Sequence, residues 1–340
     1  MASGQSSFLT VIVCSHNGES RIAQTLKALD LQTVKVPVIV VDDGSTDNTA
    51  SVVRSSSPDV ELLVSPTNIG LSAARNLGLN SVHSDFVAFC DDDCRPSPRW
   101  IEHLIEAWQD AGEGVMAIGG DVMSYPQDSV ARRYLETRRI LTPLELATYT
   151  SLRHRIKRQF LPPRNFKAGE TLGSVVGANM SFRMGALRSI GCFNEEIRFG
   201  GDEEFVSVKL REHFGSGCIE FVPNVTMPHQ FDATLRQQWR RDWRYGLGVG
   251  RKFVREGGLP ALPLPLGVAI LVGLCVGLGV SWFVGVDAAI LTAYVSRSFE
   301  AFPGWPLERL LYPFFSVIGQ ILSLLGICVG VVKNIVRSSR

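Results

Sequence analysis

Four short apolar runs, each closing on polar or acidic residues, limit what this chain can fold into. They read FLTVIVCSHN from Phe8, VPVIVVDDGS from Val36, VELLVSP from Val60 and DFVAFC from Asp85, the last running straight into Asp91, Asp92 and Asp93. Helical patterns separate them. SRIAQTLKALDLQ sets Ile22, Leu26 and Leu29 on one face, and TDNTASVVRSS and GLSAARNLGLNSV follow in the next two gaps. PRWIEHLIEAWQDAG then places Ile101, Leu104, Ile105 and Trp108 at core spacing. Strand and helix in alternation predict an α/β sandwich around a mainly parallel sheet. Ligands of such sheets bind beyond the carboxyl ends of the strands. The ends SHN, DDGSTD and DDD are therefore predicted to line one crevice.

Three consecutive carboxylates repel one another and are costly to desolvate, so their place after a buried strand needs a reason. A hard divalent cation supplies one: Mg²⁺ or Mn²⁺ takes oxygen ligands and often bridges a carboxylate to substrate phosphates. The plainer alternative is a helix cap, with Asp93 closing the turn before Pro96. In VIVVDDGSTDNT an aspartate can accept hydrogen bonds from a base or ribose hydroxyl, or simply shape a turn. Arg75, on the third helix, can pair with phosphate or with Asp43, or lie on the surface. Cys90 and Cys94 flank the acids, but no second Cys/His pair at zinc spacing follows.

Beyond MAIGGDVMS the pattern changes. Residues 126–170 carry nine Arg and Lys between Arg132 and Arg164 alone and read as a basic insertion: a solvated face, or a contact for lipid phosphates or an anionic acceptor. SVVGANMSFRMGAL restores strand and helix, and IEFVPNVTMPH reads as one last strand. Residues 236–260 form an amphipathic, arginine- and tryptophan-bearing juxtamembrane segment. Two uncharged stretches follow, at about 262–286 and 310–332, each of a length to cross ~30 Å of hydrocarbon. Basic residues before the first and after the second predict a hairpin with both ends cytoplasmic. MASGQSSF lacks the charged and apolar regions of a signal peptide, and seven scattered cysteines suit a reducing compartment. A formal net charge of +1 argues against a general polyanion binder, so no nucleic-acid partner is expected.

TVIVCSHNGE, VIVVDDGSTDNT, NIGLSAARNLGL, FVAFCDDDC and GANMSFRMGALRSIGCFNEEIRFGGDEE, in that order, resemble the family 2 glycosyltransferases over roughly residues 8–250. The resemblance implies a GT-A fold, a Rossmann-like nucleotide-diphospho-sugar transferase sandwich spanning residues 1–235. The membrane domain, 261–340, follows it. It implies that Asp43 and Arg75 hold the nucleotide base, with Cys14 and Ser15 nearby. Asp91, Asp92 and Asp93 stand at the family's DXD motif, with Asp93 the direct metal ligand and Asp91 or Asp92 touching ribose or sugar. His229 stands where many members have a histidine that approaches the metal. The base that deprotonates an acceptor hydroxyl falls in GGDEE, where one alignment selects Asp202 and the other Glu203; Asp202 is favoured. SHNG departs from the usual proline–tyrosine–asparagine. Gln237 and Arg240 fit the processive synthases' Gln-x-x-Arg, but Arg241 stands where their tryptophan belongs, which favours transfer of a single sugar.

The resulting expectation is an inverting, metal-dependent glycosyltransferase integral to the cytoplasmic membrane, its catalytic domain on the cytoplasmic side. Its expected donor is a nucleotide-diphosphate sugar, UDP-linked by preference. The expected acceptor is a hydroxyl of a lipid-linked or envelope glycan, with membrane lipids and other envelope-glycan assembly proteins as further partners. One alternative is a polyprenyl-phosphate sugar synthase, whose phosphate nucleophile needs no base. Another is a non-catalytic sugar-nucleotide-binding accessory protein, disfavoured because pure binding needs no base.

Overall fold

Burial on both faces of the first apolar run explains why it becomes a central strand. Val11 and Val13 face one hydrophobic layer and Ile12 the other, all fully buried in a computed structural model. The structure describes residues 7–126, 128–138, 141–151, 154, 165–197, 200–231, 233–256 and 311–338. Two compact units are present. One comprises Met1–Tyr125, Leu141–Thr150 and Asn165–Gln230; the other comprises Pro126–Ile140, Ser151–Arg164 and Phe231–Arg340.

The first unit opens with β1 (Leu9–Ser15), α1 (Ile22–Asp30), β2 (Val38–Asp42), α2 (Thr49–Ser56), β3 (Glu61–Val64), α3 (Leu71–Leu79), β4 (Phe86–Asp91) and α4 (Trp100–Asp110). Then come β5 (Ala117–Gly119) and β6 (Val122–Ser124). In the second unit α5 (Val130–Arg138) follows. The first unit resumes with β7 (Leu144–Glu145), α6 (Ala147–Thr150), β8 (Leu172–Ser174), β9 (Asn179–Arg183), α7 (Met184–Ser189), α8 (Asp202–Phe214), β10 (Ile219–Phe221) and β11 (Met227–His229).

Seven strands form one sheet in the order β10-β5-β9-β4-β1-β2-β3. β9 runs antiparallel to both neighbours, and the other pairs are parallel. The sheet is thus mixed, and the parallel β4-β1-β2-β3 block carries the three acidic or polar strand ends. The four helical patterns are helices as expected. On α4, Trp100, Ile101, Leu104 and Trp108 are buried, with the Trp108 indole donating to Ser181 Oγ at 2.8 Å. Asn179, at the start of β9, ties the layers together: it accepts from Trp100 Nε1 (3.1 Å) and donates to Asp121 O (3.0 Å) and Val225 O (2.9 Å).

The single last strand expected in IEFVPNVTMPH is two. β10 joins the main sheet, whereas β11 pairs with β6 in a separate ribbon. Pro223 lacks the N–H a continuous ladder needs, and the chain turns there. That turn places His229 at the end of β11, beside Cys94.

In the second unit, Arg132 of the basic insertion is buried, which a solvated face does not explain. Its guanidinium donates to Phe231 O (3.0 Å) and Asp128 Oδ1 (2.5 Å). α9 (Leu235–Glu256) packs on α10 (Tyr312–Ser338), with Trp239 Nε1 donating to Phe315 O at 3.4 Å. Tyr134 packs against Tyr312 in a tilted pair and edge-on to Phe315, ring centroids 5.4 and 5.5 Å away. Among the described residues no helix is long and apolar enough to cross a membrane. The expected span at 262–286 lies outside the described residues, and the one at 310–332 falls almost wholly on α10.

Candidate active site

Parallel pairing sets the candidate residues side by side. In register, Ser15 lies beside Asp42 and Cys14 beside Asp91, so the ends of β1, β2 and β4 form one edge. Each acid of the cluster has a different surrounding. Asp91, at the strand end, keeps a side chain 36% exposed, 3.7 Å from Arg75 Nη2. Desolvation raises its pKa; Asp93 and Asp92 add to the rise, while Arg75 and His229 oppose it. Asp92 turns inward and is 7% exposed. Its Oδ2 accepts from Ser15 Oγ (2.5 Å) and Arg21 Nη2 (2.9 Å), and its Oδ1 from Arg21 Nε (3.0 Å). Desolvation raises this pKa also, against the pull of Arg21. With its carboxylate held this way, Asp92 is an anchor for the turn, and of the pair considered for ribose or sugar it is Asp91 that stays open.

Asp93 faces His229, Oδ1 to Nε2, at 3.1 Å. Main-chain bonds fix that meeting: Gln230 N donates to Asp93 O (2.9 Å) and Arg95 N to Pro228 O (2.7 Å). One ligand atom from each of Asp93, Cys94 and His229 lies within 4.8 Å of the others. Burial pushes the Cys94 thiol well above its ordinary range, and its Sγ lies 3.9 Å from Ala178 O. A carboxylate and an imidazole remain as donors, a set that suits Mn²⁺ or Mg²⁺ better than a thiolate-seeking ion.

The other expected donor-side residues hold the framework. Asp43 is 4% exposed. Its oxygens accept from the amides of Ile69 (2.6 Å) and Gly70 (3.0 Å) and from Asn68 Nδ2 (3.1 Å). Its own N–H donates to Ser15 O at 2.8 Å. Both carboxylate oxygens therefore already serve the loop that leads into α3. The Cys14 thiol is pushed up to about 12, chiefly by desolvation, and stays protonated at neutral pH. His16 places Nδ1 2.8 Å from Asp43 O.

Arg75 pairs neither with Asp43 nor with the surface. It is 2% exposed, its guanidinium 5.7 Å from the Phe89 ring and 5.4 Å from the Phe193 ring. Its Nη1 donates to Asp202 Oδ2, and Nη2 reaches Asp91. One buried cation therefore joins the donor-side acids to the acid motif of α8. Gly201 adopts φ 87°, a left-handed turn that suits glycine, and starts α8 so that Asp202, Glu203 and Glu204 fill its first turn. Negative side chains are stabilised there by the helix dipole. Asp202 is 1% exposed, whereas Glu203 and Glu204 are half-buried.

Arg21 and Thr25 are not among the expected site residues. Nothing local marks them, because Arg21 meets Asp92 across 71 positions of sequence. Asn179 lies in the quoted GANMSF stretch, yet its bridging role depends on three partners distant in sequence.

The comparisons with known proteins agree with this architecture. A glycosyltransferase AglE of Haloferax volcanii is 28% identical over 240 residues, covering 68% of this chain and 71% of that protein. A pre-mycofactocin glycosyltransferase of Mycobacterium tuberculosis is 26% identical over 291 residues, 84% of this chain. The chain spans only 56% of that relative's length. Among solved structures, the mannosyltransferase PcManGT of Pyrobaculum calidifontis, in complex with GDP-Man and Mn²⁺, has a TM-score of 0.54 at 19% identity. The match covers 96% of this chain and 87% of that one, a likeness of fold. Residues 10–191, more than half of the chain, match glycosyl transferase family 2 along its strand-end motifs, and the chain belongs to that family.

Proposed function

We propose that the protein transfers one sugar, with inversion, from a nucleoside-diphosphate sugar to an acceptor hydroxyl, with a divalent cation bound at Asp93 and His229. The carrying observation is that Asp93 meets His229 while the neighbouring Asp91 is linked through Arg75 to Asp202 at the start of α8. The oxygen and nitrogen donors fit Mg²⁺ or Mn²⁺, which when bound acts as a Lewis acid stabilising a departing diphosphate. Asp91, open to the crevice, is placed to accept from a sugar or ribose hydroxyl. The Cys14–Ser15 main chain and the loop shaped by Asp43 form the wall expected for the base; a uridine donor is the preferred reading.

Asp202 is the base that the sequence favours. Its side chain is buried and held in an ion pair with Arg75, which limits its reach to an acceptor. Glu203, half-buried on the same helical turn, is the more open of the two. We therefore assign the base to Glu203 and the role of Arg75 counter-ion to Asp202. The acceptor is read as a lipid-linked or envelope glycan at the cytoplasmic face of the membrane, in contact with lipids and other glycan-assembly proteins. That part of the proposal rests on the uncharged stretch at 262–286 and the basic residues that precede it.

The test uses the full chain with a panel of UDP- and GDP-sugars and Mn²⁺. Glu203→Gln should keep donor affinity by calorimetry while turnover falls about 10²–10⁴-fold, the contribution of a well-placed general base. Turnover of Glu203→Gln near wild type would move the role to another residue or favour a phosphate acceptor, which needs no base.

A further inference from the structure

The middle acid of the cluster is gripped from the end of β1, the loop after it and α1. Arg21 meets the Asp92 carboxylate with two nitrogens, Nε to Oδ1 at 3.0 Å and Nη2 to Oδ2 at 2.9 Å, and Ser15 Oγ adds a third bond at 2.5 Å. Thr25 Oγ1 lies 2.8 Å from both Asp92 O and Cys94 O, so the backbone on either side of Asp93 is held from the same side. The loop closes tightly on this grip: a Cβ at Gly18 would overlap Ser15 Oγ and Asp92 Oδ2. A planar guanidinium bound through two atoms fixes the direction of a carboxylate, which a single-point ammonium does not.

We propose that Arg21 is a positioning residue for the metal-binding acid. By fixing Asp92 inward it sets the rotation of the turn 91–93, so that Asp91 faces Arg75 and Asp93 faces His229. Its influence on the cation passes through Asp92 and the main chain that leads to Asp93. With 35% of its side chain exposed, Arg21 sits at the rim, where its removal opens no cavity in the core. The inference rests on the reading of Asp93 and His229 as the cation site.

Mn²⁺ binding to the metal-free full chain, followed by the electron paramagnetic resonance signal of free Mn²⁺, tests it without turnover. Arg21→Ala should weaken Mn²⁺ about 10–100-fold, the usual effect of losing a group that orients a ligand. Arg21→Lys, which keeps the charge but not the fork, should recover only part of that loss. In an Asp93→Asn background Arg21→Ala should change Mn²⁺ affinity no further, because its effect passes through Asp93; a purely structural role would add in both backgrounds. If Arg21→Ala does not fold, Arg21→Lys carries the same comparison. Wild-type affinity in the Arg21 variants, with Asp93→Asn impaired, overturns this proposal alone. A wild type that does not bind Mn²⁺ overturns the cation site and this proposal with it.

Discussion

Arg75→Met should destabilise the first unit severely, and the reason lies in what it leaves behind. Asp202 is 1% exposed and Arg75 2%. Methionine fills much of the space between Phe89 and Phe193 but leaves the Asp202 carboxylate buried without its counter-ion. Breaking a buried pair from one side costs about 3–5 kcal/mol. The contact with Asp91 adds little, since that carboxylate is 36% exposed and 3.7 Å away, where solvent screening holds an ion pair to about 1 kcal/mol or less. Replacing both partners removes the orphaned charge, so Arg75→Met with Asp202→Leu should regain most of the loss, to within about 1–2 kcal/mol of wild type. Urea unfolding at pH 7 measures all three proteins, with the buried indoles of Trp100 and Trp108 in the same unit reporting by fluorescence. The double-variant cycle isolates the pair. A loss below about 1 kcal/mol for Arg75→Met, or a double variant no more stable than the single, refutes the buried-pair argument.

Two further outcomes follow from single polar groups. Asn179→Leu strands the Trp100 indole N–H and the carbonyls of Asp121 and Val225; at about 1–3 kcal/mol per orphaned buried group the melting temperature should drop by several degrees or more, and Trp100→Phe in that background should restore part of it. Asp47 is desolvated slightly, but hydrogen bonds from the Thr49 hydroxyl and the amides of Glu19 and Thr49 outweigh this and hold its carboxyl below the usual range. A depressed folded pKa adds stability that is present above the unfolded value, about 3.9, and is lost as pH falls through the folded one. Asp47→Asn should therefore cost under about 1 kcal/mol of stability at pH 7 in this exposed loop, read as a lower melting temperature, and the difference should vanish in acid; a difference that persists or grows there would contradict the linkage.

How much of this is legible in the sequence depends on how local the cause is. The continuous apolar run FLTVIVC and the period of about 3.6 in WIEHLIEAW depend on neighbouring residues alone, and both elements form where those patterns place them. The placement of polar and acidic residues at three strand ends follows from the same local rule, because parallel strands expose their carboxyl ends on one edge. Partner choice does not follow from it. Three adjacent aspartates look alike in sequence, yet one faces Arg75, one is gripped by Arg21 and one faces His229. Those directions depend on residues far along the chain: Arg75 reaches Asp202 across 127 positions and Arg21 reaches Asp92 across 71. Likewise the sequence alone makes Asp43 a plausible ligand, but only the folded loop 68–70 brings the amides that occupy its oxygens. The antiparallel insertion of β9 between β4 and β5, and the division of the last strand at Pro223, were decided by which distant edge each segment could pair with. Periodicity sets which faces of an element are buried; the tertiary structure alone decides which charge meets which, because carboxylates and guanidiniums accept any correctly oriented partner, and orientation is a property of the assembled chain.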